Sequence, residues 1–467
     1  MDAEVAYAAW QAEEEKTRQK NIITSREYFD GDHAVPLTER QREWLGFKLL
    51  KERFALNYCR IIVNAVVDRL IVTGFSDNQE EPAEWAWEWW QANRMDALQR
   101  TIHQGCVRDG EYFVMVDLDK ERGLPRFYPH PRYTDTLFGG TGFGCKAHYT
   151  DEHDAAELEY ASKRWTETRG EGAERKTVQR MNLYYPDRIE KYEMGRSTDE
   201  SGWVQLSEEP WLTTAGEPVG IPVIHFRNPS DRSELWDAIP PQDAINKTAL
   251  DILAAADANG FRIMFTKGFY PTTDGEAPDE DGDNYLEIFP GCILGHPNPE
   301  VGIDVFDPID LSSMLAGLDN LVLKLAQITD TPLSRFQLTR QVAAEGTLKQ
   351  QEEPLLAKVR ARQVLYGNAW EDCMSVAWRL AGAFGTEQPE GEGLLQTQWA
   401  SAETRDEKEH LESLKLKSDL GVPAETLWEE MGYDAGQIAA MRAQRGEEMQ
   451  QQSNIGGALL QAFERGQ

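Results

Sequence analysis

Few residues in this chain have the types and spacing that chemistry requires. Asp30, Asp32 and His33 put two carboxylates and an imidazole side by side, a donor set that could hold a divalent metal for hydrolysis of nucleic acid. His148 and His153 stand with Asp151, Glu152 and Asp154 in a second such cluster. Neither spacing carries a mechanism: the helical zinc motif needs histidines four apart with a glutamate beside the first, and a calcium loop needs a longer acidic ladder. Both read as solvated turns. Gly139, Gly140, Gly142 and Gly144 have the look of a phosphate loop but lack its Gly-Lys-Ser/Thr ending, so they read as the end of a hairpin. No Walker sequence occurs, which excludes ATP hydrolysis by the P-loop route. The acids between positions 274 and 283 are too irregular for a calcium site. The expectation is therefore a protein that is not an enzyme, with no catalytic residue, no metal and no cofactor. A metal-dependent nucleic-acid-processing enzyme using Asp30, Asp32 and His33 is the alternative.

The elements that organise the chain lie between Pro240 and Thr331. A helix opens at Pro240-Pro241, runs through an alanine-rich stretch and stops at Asn259-Gly260. A second begins near Asp310 and carries Leu311, Met314, Leu315, Leu318, Leu321, Val322, Leu325 and Ile328 at three- and four-residue spacing, one continuous apolar face. Each spans roughly 30 Å at 1.5 Å per residue. Between them, from Pro271 to Asp310, there is no Lys or Arg, while Asp274, Glu276, Asp279, Glu280, Asp281 and Asp283 concentrate negative charge.

Composition sets limits on what this hairpin can serve. A chain of 467 residues divides into more than one domain, and 40% hydrophobic residues suffice for real cores. The 80 acidic and 48 basic residues leave a formal charge of −32, which excludes a broad basic surface that grips DNA or anionic lipid but permits a surface that DNA slides past. Cys59, Cys106, Cys145, Cys292 and Cys373 form no C-x-x-C pair, so reduced thiols are expected. No signal peptide or membrane span is read: the most apolar run, Ile61 to Val72, is interrupted by Asn64, Asp68 and Arg69.

In chain order, Ala3 to Phe29 reads as a charged helix, Thr38 to Gln41 as a capping box, and Ile62 to Leu70 as a helix running into a strand from Ile71 to Phe75. Trp85, Trp87, Trp89 and Trp90 cannot share one face, so some are expected to meet another domain or subunit. A helix from Asp96 to Val107 leads through Asp109-Gly110 into the strand Tyr112 to Val116. Short strands follow at Arg126 to Tyr128, Gly144 to Thr150, Arg188 to Met194, Trp203 to Leu206 and Val223 to Phe226. Asp151 to Trp165 reads as a polar helix and Arg169 to Lys176 as a mobile loop. Beyond the hairpin come a polar link, Pro332 to Gln341, a long helix from Ala343 to Phe384 and short helices from Glu403 onward.

This order of elements resembles the portal proteins of tailed bacteriophages, the head-to-tail connectors. The residues that carry the likeness are Tyr28 to His33, Asn57-Tyr58-Cys59 with the helix after it, Val72 to Phe75, the Asp109 to Tyr112 turn, the two hairpin helices around the acidic insertion, and Glu345 to Lys349 at the start of the long helix. It covers most of residues 25 to 385, and no single motif in it is a catalytic signature.

The resemblance implies an α+β portal-like fold. Residues 1–239 would form a helical arm and α/β wing, 240–260 the first stem helix, 261–308 a small α/β clip, 309–330 the second stem helix and 331–343 a tunnel loop. Residues 344–400 would give the long wing helix with the rest of the wing, and 401–467 a helical crown. It also implies a dodecameric ring at one capsid vertex of the virion, assembled in the host cytoplasm. Double-stranded DNA would pass through it without sequence specificity, packaged by the terminase and later ejected. Expected partners are the terminase large subunit, major capsid and scaffolding proteins, and head-completion or tail connector proteins. Lys247, Lys324, Arg335 and Arg340 are the residues expected to face DNA, and the acids from Asp274 to Asp283 form the clip surface.

Overall fold

The computed structural model describes residues 3–33, 55–76, 80–119, 121–134, 143–151, 157–169, 176–194, 202–260, 264–267, 302–305, 310–336, 345–384, 395–403, 407–433, 437–438 and 440–446. Chain order gives α1 (Ala3–Gln11), α2 (Glu13–Asp30), α3 (Cys59–Val67), β1 (Val72–Ser76), α4 (Glu80–Ala92) and α5 (Met95–Asp109). Then follow β2 (Glu111–Asp119), β3 (Leu124–Pro131), β4 (Gly144–Tyr149), β5 (Leu158–Arg169), β6 (Lys176–Tyr184), β7 (Arg188–Met194), β8 (Trp203–Pro210) and β9 (Val223–Arg227). The remainder is α6 (Ile239–Gly260), β10 (Met264–Lys267), β11 (Gly302–Val305), α7 (Leu311–Ile328), α8 (Glu345–Phe384), β12 (Gln396–Trp399), α9 (Glu407–Asp419) and α10 (Ala424–Met431). The fold is mixed α+β, and it falls into two compact units.

The larger unit comprises Met1–Asp30, Cys59–Trp236 and Thr329–Gln467. Its strands form a three-stranded sheet ordered β3-β2-β9, a five-stranded antiparallel meander from β4 to β8, and the pair β1-β12. The long helix α8 lies on the three-stranded sheet, where Trp370 meets Phe226 with ring centroids 4.8 Å apart. Its buried face carries Leu355, Val359, Tyr366, Trp370, Met374 and Leu380. Helix α5 ends at Gly110, whose φ of 97° an L side chain rarely adopts and whose Cβ would stand 2.6 Å from the Asp231 carbonyl oxygen. That cap turns the chain straight into β2.

Three expectations are corrected here. The polar stretch expected as a helix from Asp151 to Trp165 is, from Leu158, strand β5, which pairs with β4 and β6, and residues 152–156 lie outside the described residues. Lys176 opens β6 rather than closing a loop, and residues 170–175 lie outside the described residues. Three of the four tryptophans of α4 are covered within their own unit, and Trp85 is half-buried. Trp87, Trp89 and Trp90 are buried inside this unit, where Trp89 meets Trp378 and Trp90 meets both Phe75 and Trp370. A helix covered on two sides can bury aromatics that no single face would hold. The first helix also breaks at Ala12, and both sides of the break reach inward: Trp10 packs with Ile22 and Tyr133, while Glu15 accepts from Arg132 at 2.6 Å.

The smaller unit comprises Gly31–Tyr58 and Asp237–Ile328. Helices α6 and α7 pack on one another, and β10 pairs antiparallel with β11. Asp310 caps α7, its Oδ1 accepting from the Ser312 backbone N–H at 3.0 Å. The capping box at Thr38 to Gln41 lies outside the described residues.

Candidate functional site

The helical hairpin buries part of its apolar surface and leaves part of it exposed. In α6 the inner positions are Gln242, Ile245, Asn246, Ala249 and Leu250; in α7 they are Val322, Leu325 and Ala326. The apolar face expected along the whole of α7 is buried only in its second half. Leu315 stays 50% exposed, and Leu253 of α6 stays 47% exposed. Basic residues are sparse: Lys247 is the only one in α6 and Lys324 the only one in α7. The Lys247 ammonium is already matched, 2.6 Å from the Asp251 carboxylate, and Lys324 donates to Gln327 at 3.2 Å.

Two buried amides of α6 do a job that the sequence did not disclose. Gln242 accepts from the Tyr58 backbone N–H at 3.0 Å and donates to the Leu56 carbonyl at 2.6 Å. Asn246 accepts from the Leu56 N–H at 2.9 Å and lies 3.0 Å from His33 Nε2. The chain at 55–58 is thus held to the helix by a side-chain ladder that mimics a strand pairing. The signal was there: amides four residues apart in an alanine-rich helix share a face.

The other expected site residues separate into those the described residues include and those they do not. Arg335 ends a 3-10 turn, Leu333–Arg335, in the larger unit; it is exposed and makes no ion pair with the described residues. Arg340 and Asp274, Glu276, Asp279, Glu280, Asp281 and Asp283 lie outside the described residues.

Of the positions weighed for metal-dependent chemistry, Glu152, His153 and Asp154 lie outside the described residues. Asp30 belongs to the larger unit and pairs with Arg60 at 3.7 Å, whereas Asp32 and His33 belong to the smaller. His148 lies 2.8 Å from the Ser162 hydroxyl and stacks on Tyr160, and burial pushes its pKa down to about 2. Among the described residues no group of three or more His, Cys, Asp and Glu could hold a metal ion. A cavity of about 170 Å³ lined by Glu15, Arg18, Glu111, Arg132, Lys146 and His225 is rich in charge, but the charges neutralise one another. Burial opposes ionisation of Glu111, yet Arg132, His225 and Arg18 hold its carboxyl well below the usual carboxylate range. Such a network fixes the α2 helix to the sheets. Cys59, Cys106, Cys145 and Cys373 are buried free thiols, and Cys292 lies outside the described residues.

The order of elements and the helical hairpin can be compared with known proteins. The chain matches the model of the phage portal protein family described as SPP1 Gp6-like over residues 9–451. It belongs to that family. It is also similar to the portal proteins of Mycobacterium phages D29 and L5, at 23% identity over 95% of this chain and 89% and 88% of theirs. Its function is that of a phage portal protein, a structural component of the virion at the capsid vertex where DNA is packaged, in a family of oligomeric rings. The portal role is structural, so the nuclease alternative on Asp30, Asp32 and His33 falls away. Among the described residues no helix is long and apolar enough to cross a membrane.

Proposed function

We propose that copies of this portal protein stand side by side in a dodecameric ring with the α6–α7 hairpins as the channel wall. Residues 240–260 and 309–330 are its stem, 261–308 the clip, 331–343 the tunnel loop, 344–400 the long helix and rest of the wing, and 401–467 the crown. The acidic segment from Asp274 to Asp283 meets the terminase large subunit and afterwards the head-completion and tail connector proteins, while the wing meets major capsid and scaffolding proteins. The same channel serves ejection.

The observation that carries this reading is the charge and exposure of the hairpin. Each helix offers a single lysine, one of them neutralised by Asp251, so a duplex passing between such walls finds no row of phosphate ligands. Many phosphate contacts would turn each step of translocation into a deep free-energy well. Half-exposed Leu253 and Leu315 supply the apolar flanks that side-by-side neighbours cover. Arg335, exposed and without a carboxylate partner among the described residues, and Arg340 are the DNA-facing cations of the tunnel loop. Lys247 and Lys324 are weaker contributors on the wall.

Electron micrographs of the purified chain, combined with particle mass, test the reading. It requires end views with a central hole and about twelve copies in a particle. Small compact oligomers without a hole would end it.

A further inference from the structure

Helix α8 presents a second apolar surface, opposite the one that packs on the sheet. Ala357, Ala361, Val364, Leu365 and Asn368 are all exposed, Val364 by 63% and Leu365 by 40%. At 100° per residue these positions fall on one side of the helix, while Leu355, Val359, Tyr366 and Trp370 fall on the other and are buried. Arg360 stands at the edge of the exposed stripe, 2.8 Å from Glu403 and 3.4 Å from Glu353. Lys358 and Arg362 turn inward to Glu234.

The stripe lies in a stretch of sequence without acids. The chain has 80 acidic residues in 467, yet between Glu353 and Glu371 there is none. Copies that each carry −32 repel one another, and with a Debye length of about 8 Å the local charge of the touching surfaces decides whether they can approach. The face is apolar, and its one cation is already matched.

We propose that the Ala357–Asn368 face of α8 is a docking surface for a second copy of this chain, one flank of the contact that closes the ring. Nucleic acid is the wrong occupant, because no unmatched cation faces outward for a phosphate. A neighbouring copy fits: a ring of identical subunits needs two different faces on each, and a helix stripe with alanines at its centre allows close approach. The small residues let the partner's backbone come near, and Val364 and Leu365 provide the area removed from water.

The proposal rests on the ring reading, and the test separates the two. Val364→Cys is labelled with N-ethylmaleimide in dissociated full-length subunits and in assembled particles, with the wild-type chain as background. Assembly is expected to slow labelling at position 364 by about tenfold or more. Val364→Glu is expected to raise the concentration needed for half-assembly by at least about tenfold, with helix content by circular dichroism unchanged. If rings form and position 364 reacts as fast in them as in subunits, this surface is not the contact and the proposal is overturned while the ring stands. If V364E fails to fold, the labelling result still decides. If the wild-type chain forms no ring at all, the ring reading fails first and the docking surface with it.

Discussion

The indole N–H of Trp370 donates to Nε2 of His103 across 3.0 Å, and that bond settles the protonation state of a fully buried imidazole. With Nε2 accepting, Nδ1 carries the proton and donates to the Leu70 carbonyl at 3.0 Å. Both ring nitrogens are used by the neutral form. Tyr366 stacks on the ring at 5.5 Å, so the long helix grips α5 through this histidine.

Burial pushes the His103 pKa down to about 4, although the Leu70 carbonyl opposes the shift. In the unfolded chain the imidazole takes up a proton near pH 6.5. Between those values the unfolded state binds more protons, so stability falls as pH drops from 6.5 and levels off below 4. Through this residue alone the loss is roughly 3 kcal/mol. Burial shifts His130 to about 4 as well, with Lys163 adding to the effect, so the wild-type slope contains more than one histidine. Urea unfolding of His103→Phe at pH 7, 6, 5 and 4 isolates the share: its stability should decline less steeply over this window than that of the wild type. Parallel slopes would refute the assignment.

Glu234 is the carboxylate on which two cations of α8 converge, Lys358 at 3.1 Å and Arg362 in direct contact. Burial pushes its pKa up, and Lys358 and Arg362 outweigh that and hold it below the ordinary value. Removing the acid strips buried Arg362 of this carboxylate and leaves half-buried Lys358 with the Thr329 carbonyl and the more distant Asp330. Glu234→Ala should therefore cost about 3–5 kcal/mol, read as a lower urea midpoint. Glu234→Gln keeps the hydrogen-bond acceptor and should cost less.

Gly110→Ala tests the turn that launches β2. The new methyl group meets the Asp231 carbonyl in a backbone conformation already unfavourable for alanine, so neither the side chain nor the loop can give way cheaply. A loss of at least about 2 kcal/mol in unfolding free energy is expected. A change within a few tenths would mean that the loop at Asp231 relaxes freely.

What could be read in the sequence followed from how local the physics was. Pro240, Asn259-Gly260 and Asp310 punctuate the hairpin with capping chemistry, and both helices lie within two residues of where those signals put them. Ala424–Met431 was equally legible between Pro423 and Gly432. Strand β5 was not, because its inward positions are Tyr160, Ser162 and Arg164, so the alternation that marks a strand is missing from the residue types. Arg164 is tolerated there because the rings of Tyr7, Trp10 and Trp203 surround its guanidinium, and these come from α1 and β8, far away in sequence. The ladder from Gln242 and Asn246 was hidden for the same reason: its partners are near position 56, nearly two hundred residues earlier. The two helices of the hairpin were legible; which half of α7 is buried was not.

Arg335 offers the sharpest test of the tunnel loop proposed at residues 331–343. It follows Pro332 in a tight turn, and its charge acts on Arg69, whose pKa is lowered first by burial and then by Arg335. An exposed guanidinium gains from a passing phosphate. Arg335→Ala should leave ring mass and stability unchanged, because no described residue depends on the side chain. DNA packaged per particle should fall by about two- to tenfold, with a reduced dependence on salt, since each copy gives up one phosphate contact. Arg335→Lys, which keeps the charge, should restore most of the activity. If Arg335→Ala packages DNA as the wild type does at every salt concentration, the loop cation plays no part in guiding the duplex, and the centring of DNA falls to the channel wall, where Lys324 is the lysine not engaged by a carboxylate among the described residues.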